Sequence, residues 1–243
     1  AACYEKIVLT YPASKHYADS LLAPLAHYEK TEQWDRLLLH LEKLYQKDPK
    51  SSLAKETLYK LGKRFYKNED YPKARQVFAQ YVQHYPADTS RNLEIAYLDA
   101  LMSEAEGRKQ DAMQGYSRFL TAYGSAKASE PALTVDPLYL ATARFRTLDP
   151  LYAEYLSVQL KEPLKKNLAR KQSLLDRVVS GYMETVKSGA GEYALASAYR
   201  VGEAYQDFWK ALLTSEMPGG LSAEEKGVYL ELLKEQGDPY REK

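Results

Sequence analysis

The side chains that could do chemistry are few and far apart in this sequence. The single cysteine, Cys3, has no histidine near it in the chain, and a thiol needs such a partner to become a reactive thiolate. The four histidines fall in separate predicted helices, at His16, His27, His40 and His84. His27 and His40 flank one predicted turn and could face each other, but two nitrogen ligands without a third donor do not make a zinc site. We therefore expect no catalytic residue, no resident metal and no cofactor.

The sequence contains no motif that is typical of a catalytic site. The chain has no glycine-rich phosphate loop, no Gly-x-Ser-x-Gly elbow and no His-Glu-x-x-His helix. Glu130 follows Ser129 in a predicted loop. Lytic transglycosylases also carry a helical superhelix and use one catalytic glutamate, but that residue lies in a separate lysozyme-like domain in Glu-Ser order. We expect a protein that is not an enzyme, and a helical accessory domain of a cell-wall-acting enzyme is the alternative.

Charge and composition exclude several classes of function. Of the 243 residues, 34 are Lys or Arg and 33 are Asp or Glu, which leaves a formal net charge of +1. This balance argues against nucleic-acid binding driven by phosphate neutralisation. No apolar run approaches the ~20 residues that span a bilayer. Hydrophobic residues make up 45% of the chain, which is enough for a folded core.

One basic segment could act at a surface. Its basic residues, at helical spacing that makes one positive stripe, are Lys161, Lys165, Lys166, Arg170 and Lys171. Few acidic residues lie among them. Such a stripe could bind an acidic partner or anionic lipid headgroups, and the other interpretation is a solvated helix face.

A repeat of about 37 residues organises the first half. Tyr11-Pro12, Asp48-Pro49 and Tyr85-Pro86 each follow an apolar pattern of helical period, and the prolines are 37 residues apart twice (49 − 12 and 86 − 49). Tyr123-Gly124 takes the same place 38 residues after Tyr85, with glycine as the predicted helix terminator. Pro24 is predicted to kink or delay one helix.

Residues 55–88 resemble a tetratricopeptide repeat (TPR). The matching positions are Leu58, Leu61, Gly62, Phe65, Ala74, Phe78 and Pro86, while Tyr81 stands where the family prefers alanine. Small residues at 62 and 74 let the two helices approach closely, and the large apolar residues fill the space between helices. The resemblance covers residues 1–124 and implies an all-α, right-handed solenoid of antiparallel helical hairpins, with about ten or eleven helices in the chain.

In this family the concave groove is lined by first-helix residues that point away from the second helix. By that offset the groove residues are Glu56, Tyr59, Lys60, Lys63, Tyr66, Lys67 and, in the next unit, Tyr97. Aromatic rings offer contact area at low entropy cost, and lysines can hold carboxylates of a bound peptide. The competing interpretation of Tyr59 and Tyr66 is that they fill space between repeats.

The second half is helical but less regular. A pattern at 149–187 is interrupted by Pro163, which predicts one kinked helix or two helices, and another helix follows at 192–216. Ser222 and Glu225 form a predicted capping box, and Gly237-Asp-Pro239 is predicted to end that helix. The domains expected are a TPR array at 1–124, a loop at 125–137, and extended hairpins at 138–243 that continue the solenoid.

The last 39 residues, 205–243, are similar to C-terminal parts of large bacterial cell-envelope TPR proteins of the gliding-motility type. This resemblance implies a periplasmic or cell-envelope location and a chain that is part of a longer protein. The expected function is a non-enzymatic scaffold that binds a partner protein or peptide in its groove, with no nucleic-acid partner. Self-association through exposed solenoid ends is a further alternative.

Overall fold

The computed structural model describes residues 2–217, 219–220 and 222–241, and every regular element in them is an α-helix. Eleven helices have nine or more residues and two have six, against the ten or eleven predicted. They are α1 (Ala2–Thr10), α2 (Tyr17–Leu22), α3 (Leu25–Lys30), α4 (Trp34–Lys47), α5 (Ser52–Lys67), α6 (Tyr71–His84), α7 (Thr89–Ala105), α8 (Lys109–Ser129), α9 (Pro137–Thr147), α10 (Asp149–Ser157), α11 (Leu164–Lys187), α12 (Gly191–Leu213) and α13 (Ala223–Arg241). None of these described helices has an apolar stretch long enough to cross a bilayer.

The chain divides into two compact units, residues 1–95 and 96–243, and the division falls within α7. In the first unit, α4 packs against α2, α3 and α5, and α5 packs most extensively against α6. In the second, α11 and α12 form the central pair, with α9 and α10 packed against α11 and with α13 packed against α12. An all-helical architecture of packed neighbouring helices is therefore confirmed.

Three turns between helices share one backbone geometry. Glu32, Glu69 and Gly107 lie in the left-handed region, with φ of 57°, 60° and 75°. In each turn the N–H of the next residue donates to the carbonyl five positions back, at 2.9 to 3.0 Å, which satisfies a carbonyl at the helix end. The three residues are 37 and 38 positions apart (69 − 32 and 107 − 69), so the predicted period recurs in the turns.

The end of α8 differs from the prediction. Gly124 was predicted to terminate this helix, but α8 continues to Ser129 and ends before Glu130-Pro131. A single glycine costs a helix about 1 kcal/mol yet keeps its N–H, whereas a residue before proline is driven out of the α region. Glu130 accordingly has φ −129°, close to the −125° of Tyr85 before Pro86. The predicted loop at 125–137 is therefore confined to 130–136.

The predicted core of residues 55–88 is confirmed. Leu58, Leu61, Phe65 and Phe78 are all buried, as are the small residues Gly62 and Ala74. A Cβ added to Gly62 would clash with the ring of Phe78, so α5 and α6 approach closely there. Tyr81, which departs from the family pattern, is fully buried, and its hydroxyl donates to Asp88 at 2.6 Å. The larger side chain is accommodated because its polar end has a partner.

Prolines break two helices as predicted. Pro24 separates α2 from α3, where it occupies the N-cap position. Pro163 follows the extended residues after α10 and precedes α11, so the pattern at 149–187 is two helices. Pro239 does not end α13, which runs on to Arg241, and this prediction was wrong. A proline leaves the earlier turns of a helix intact and removes one backbone hydrogen bond, which a helix near its terminus tolerates.

The second unit has its own core of aromatic and aliphatic residues. Helices α10, α11 and α12 contribute its most buried large members, which are Tyr155, Leu175, Val178, Tyr182 and Phe208.

The predicted capping box at the start of α13 is confirmed. Ser222 N–H donates to the Glu225 carboxylate at 2.8 Å, and Glu225 N–H donates to Ser222 Oγ at 3.3 Å.

His40 makes the stability of the first unit sensitive to acid. Its ring is fully buried, its Nδ1 lies 2.9 Å from the Arg36 carbonyl, and Tyr28 packs on it edge to face at 5.0 Å. Its Nε2 is buried without a hydrogen-bond partner among the described residues. Burial lowers the pKa of His40 below its usual 6.5. The unfolded chain therefore binds a proton that the folded chain does not, so stability is fully present above pH ~6.5 and falls as the pH drops below it.

We expect the free energy of unfolding to be smaller at pH 5.0 than at pH 7.5, and the difference to shrink in His40→Gln. Urea unfolding followed by the fluorescence of Trp34, in a Trp209→Phe background, measures both. An unchanged pH dependence in the variant would show that His40 is not the group that titrates.

Candidate functional site

The outward face of α5 concentrates positive charge. Lys60, Lys63, Arg64 and Lys67 follow each other at i, i+3, i+4 and i+7, which is the spacing of one helix face. With Asn68 they surround a shallow recess of about 350 Å³. We call these five residues the α5 basic face.

The local sequence explains why these side chains point outward. The Ser51 side chain caps α5 by accepting the N–H of Ala54, which fixes where the helix begins. The apolar residues Leu58, Leu61 and Phe65 then occupy the opposite side of the helix and are buried. Because a helix that buries one stripe presents the other to water, the basic face is left on the surface.

Two of the cations have acidic partners within the first unit. Lys63 Nζ lies 2.5 Å from a carboxylate oxygen of Glu94, and Arg64 lies 3.0 Å from the Glu32 carboxylate and stacks over the ring of Trp34. Lys60 and Lys67 are exposed and contact no acidic side chain in the described part of the chain. The face therefore keeps two ammonium groups that can bind carboxylates without breaking an existing ion pair.

The other predicted groove residues of α5 are engaged in internal contacts. Glu56 pairs with Arg91 at 2.6 Å, and the Tyr59 hydroxyl donates to Glu94 while the Arg91 guanidinium lies over the Tyr59 ring at 4.4 Å. Tyr66 is half-buried beside Tyr71, and burial raises the pKa of its hydroxyl. These contacts favour a packing role for Glu56, Tyr59 and Tyr66, while their partner-binding role stays a prediction.

Tyr97 belongs to the second unit. It is buried there, and its ring stacks on that of Tyr139 at a centroid distance of 4.3 Å.

Arg64 and Asn68 are members of the α5 basic face that the family offsets did not select. The signal that could have found Arg64 is its position four residues after Lys60 on the same helix face.

The predicted basic stripe at 161–171 does not form as one surface. Lys161, Lys165 and Lys166 are exposed, and Arg170 pairs with Glu154 at 2.9 Å. Lys171 is only 2% exposed: its ammonium lies 2.8 Å from Asp207 and donates to the carbonyls of Tyr155 and Val158. Lys171 faces the core because it lies three residues after Leu168 and four before Leu175, on the apolar side of α11.

Candidate chemistry elsewhere in the described residues is limited. No group of three or more His, Cys, Asp and Glu side chains within them could hold a metal ion. Cys3 is an exposed free thiol in α1. Glu130 is exposed and is the C-cap residue that follows α8. The α5 basic face is therefore the best-defined candidate site of the first unit.

Comparison with protein-family models finds none that matches this chain, and a search of the curated proteins finds no match.

Proposed function

We propose that this chain is a non-enzymatic interaction scaffold of TPR-like helical hairpins, which binds an acidic segment of a partner protein on the α5 basic face. The observation that carries the proposal is the presence of four cationic side chains on one exposed helix face, two of them without an acidic partner. A linear peptide with several carboxylates would contact Lys60 and Lys67 directly. It could also share the ion pairs of Lys63 and Arg64 at the edge of the recess.

The energetics favour a weak, reversible interaction. One exposed ion pair contributes about 0 to 1 kcal/mol, so a single carboxylate would not be held. A peptide that carries several carboxylates adds these small contributions together, and it loses the entropy of being held at the site only once. Because the charges are at the surface, salt screens them, and the affinity should fall as ionic strength rises.

Charge reversal on the α5 basic face tests the proposal. We expect Lys60→Glu/Lys67→Glu to weaken the binding of a fluorescein-labelled octaglutamate peptide by about tenfold or more, because two attractive contacts become repulsive. Fluorescence anisotropy at 50 mM salt measures the affinity. The matched control is Lys15→Glu/Lys50→Glu, which makes the same change of net charge at two exposed lysines outside α5.

An equal loss in both variants would mean that the peptide responds only to net charge, and the α5 basic face would then not be a site. No loss in either variant would also contradict the proposal. A loss confined to the α5 variant supports it, and the same pair of variants can then be compared with full-length candidate partners.

A further inference from the structure

A cleft lined by leucines lies within the second unit. It has a volume of about 510 Å³ and is bounded by the extended residues after α10, the start of α11, the end of α12 and the middle of α13. Its aliphatic lining consists of Leu160, Leu164, Leu168, Leu212 and Leu233. Leu160 and Leu212 are buried, and the other three are half-buried. Both the size and the apolar lining are those of sites that bind small molecules.

Two hydroxyl groups in the lining lack partners. Ser215 Oγ and the Tyr229 hydroxyl oxygen are both buried, and neither has a hydrogen-bond partner among the described residues. Tyr182 and Ser197 of the same unit also bury hydroxyls without a partner among the described residues, so the unpaired state alone does not indicate a ligand. Ser215 and Tyr229 differ from them because both line one cleft that has room for a polar partner.

The charged groups of the lining limit what that partner can be. Lys165 is exposed and brings an ammonium donor to the cleft, whereas the Glu162 carboxylate already accepts the N–H of Leu164 at 3.2 Å. Apart from the Glu162 carboxylate, which keeps acceptor capacity, the polar side-chain groups of the lining are two hydroxyls and one ammonium, all of which can donate. A ligand that matches them has a polar end that accepts hydrogen bonds and an aliphatic body that fits between the leucines.

We propose that this cleft binds a small aliphatic molecule with a hydrogen-bond-accepting head, either a carboxylate or a neutral acyl group. The leucines hold the chain, and Ser215 and Tyr229 donate to the head. The proposal does not depend on the α5 basic face, because the two sites lie in different units and use different chemistry.

Isothermal titration calorimetry with three probes, each built on an eight-carbon chain, tests the ligand class. Octanoate and N-methyloctanamide both have an acceptor head, and the head of octyltrimethylammonium has no hydrogen-bond acceptor. We expect at least one acceptor probe to bind about tenfold or more tightly than the ammonium probe, because only an acceptor pairs both hydroxyls. Octanoate binding alone identifies a carboxylate ligand, and comparable binding of the amide identifies an acyl ligand. Equal binding of all three, or of none, would overturn the proposal.

Two variants test the location. Ser215→Ala/Tyr229→Phe removes both hydroxyls and leaves the leucines, and we expect it to weaken binding of the preferred probe by about tenfold. The matched control is Ser180→Ala/Tyr199→Phe, which makes the same chemical changes at exposed positions of the same unit. Leu233→Trp fills the cleft from α13 and is expected to abolish binding even if the double variant loses stability. Unchanged binding in Leu233→Trp, or equal weakening in the test and control double variants, would rule out this cleft.

Discussion

Lys171→Ala is expected to lower the free energy of unfolding of the second unit by about 3 kcal/mol. The substitution leaves the Asp207 carboxylate, which is about one-third exposed, without its ion partner. It also removes a donor from two carbonyls at the C-terminal end of α10, since Lys171 donates to Tyr155 at 3.3 Å and to Val158 at 3.2 Å, and the Tyr155 carbonyl keeps the N–H of Val158 at 3.3 Å. A cation at a helix C-terminus further opposes the negative end of the helix dipole, and this contribution is lost too.

Urea unfolding measures the loss in a Trp34→Phe background, where Trp209 is the remaining tryptophan and reports on the second unit. Lys166→Ala is the matched control, because it removes an exposed lysine from the same helix and should change the stability by less than ~0.5 kcal/mol. If the two variants were equally stable, the buried ammonium of Lys171 would make no net contribution to the fold.

Gly62→Ala is expected to destabilise the first unit by about 2 kcal/mol. The new Cβ would overlap two ring carbons of Phe78, and that ring is itself buried and cannot turn away freely. The gain of up to ~1 kcal/mol from replacing glycine in a helix opposes this cost without cancelling it. Trp34 fluorescence during urea unfolding, in a Trp209→Phe background, isolates the first unit.

Gly124→Ala is the comparison that separates these two effects. Gly124 lies inside α8, and a Cβ there would meet no atom within 4 Å. Only the helix-propensity gain applies, so the second unit should become more stable by about 0.5 to 1 kcal/mol. The two glycine substitutions are thus expected to have opposite signs. A stabilising Gly62→Ala would show that α5 and α6 do not approach as closely as described.

The sequence was most informative where one physical requirement acts alone. The core of residues 55–88 could be predicted because apolar spacing and two small residues determine how adjacent helices pack, as the contact of Gly62 with Phe78 confirms. The break at Pro163 and the capping box at Ser222 could be predicted because both depend on neighbouring residues only.

An overlooked register and unforeseen tertiary contacts account for the site predictions that failed. Residues 161–171 were predicted as one basic stripe, but Lys171 lies three residues after Leu168 and four before Leu175, which is the register of the buried side of α11. Its ion pair with Asp207, 36 positions later, could not be predicted from spacing (207 − 171). The α5 basic face was found in part, since Lys60, Lys63 and Lys67 were predicted and Arg64 was not. The hydrogen bond from the Tyr59 hydroxyl to Glu94 could not be predicted from spacing either, because each of these two residues, taken alone, suits the wall of a groove equally well.

The length of α8 has a consequence for how this chain tolerates insertions and deletions. The equivalent helices α4 and α6 have 14 residues and α8 has 21, so the difference is seven. The seven extra residues lie at the C-terminal end of α8, and seven residues complete two helical turns to within about 20°. The chain therefore leaves α8 on nearly the same side of the helix as it would after 14 residues. An extension of two or five residues would instead turn the end of the helix to about the opposite side.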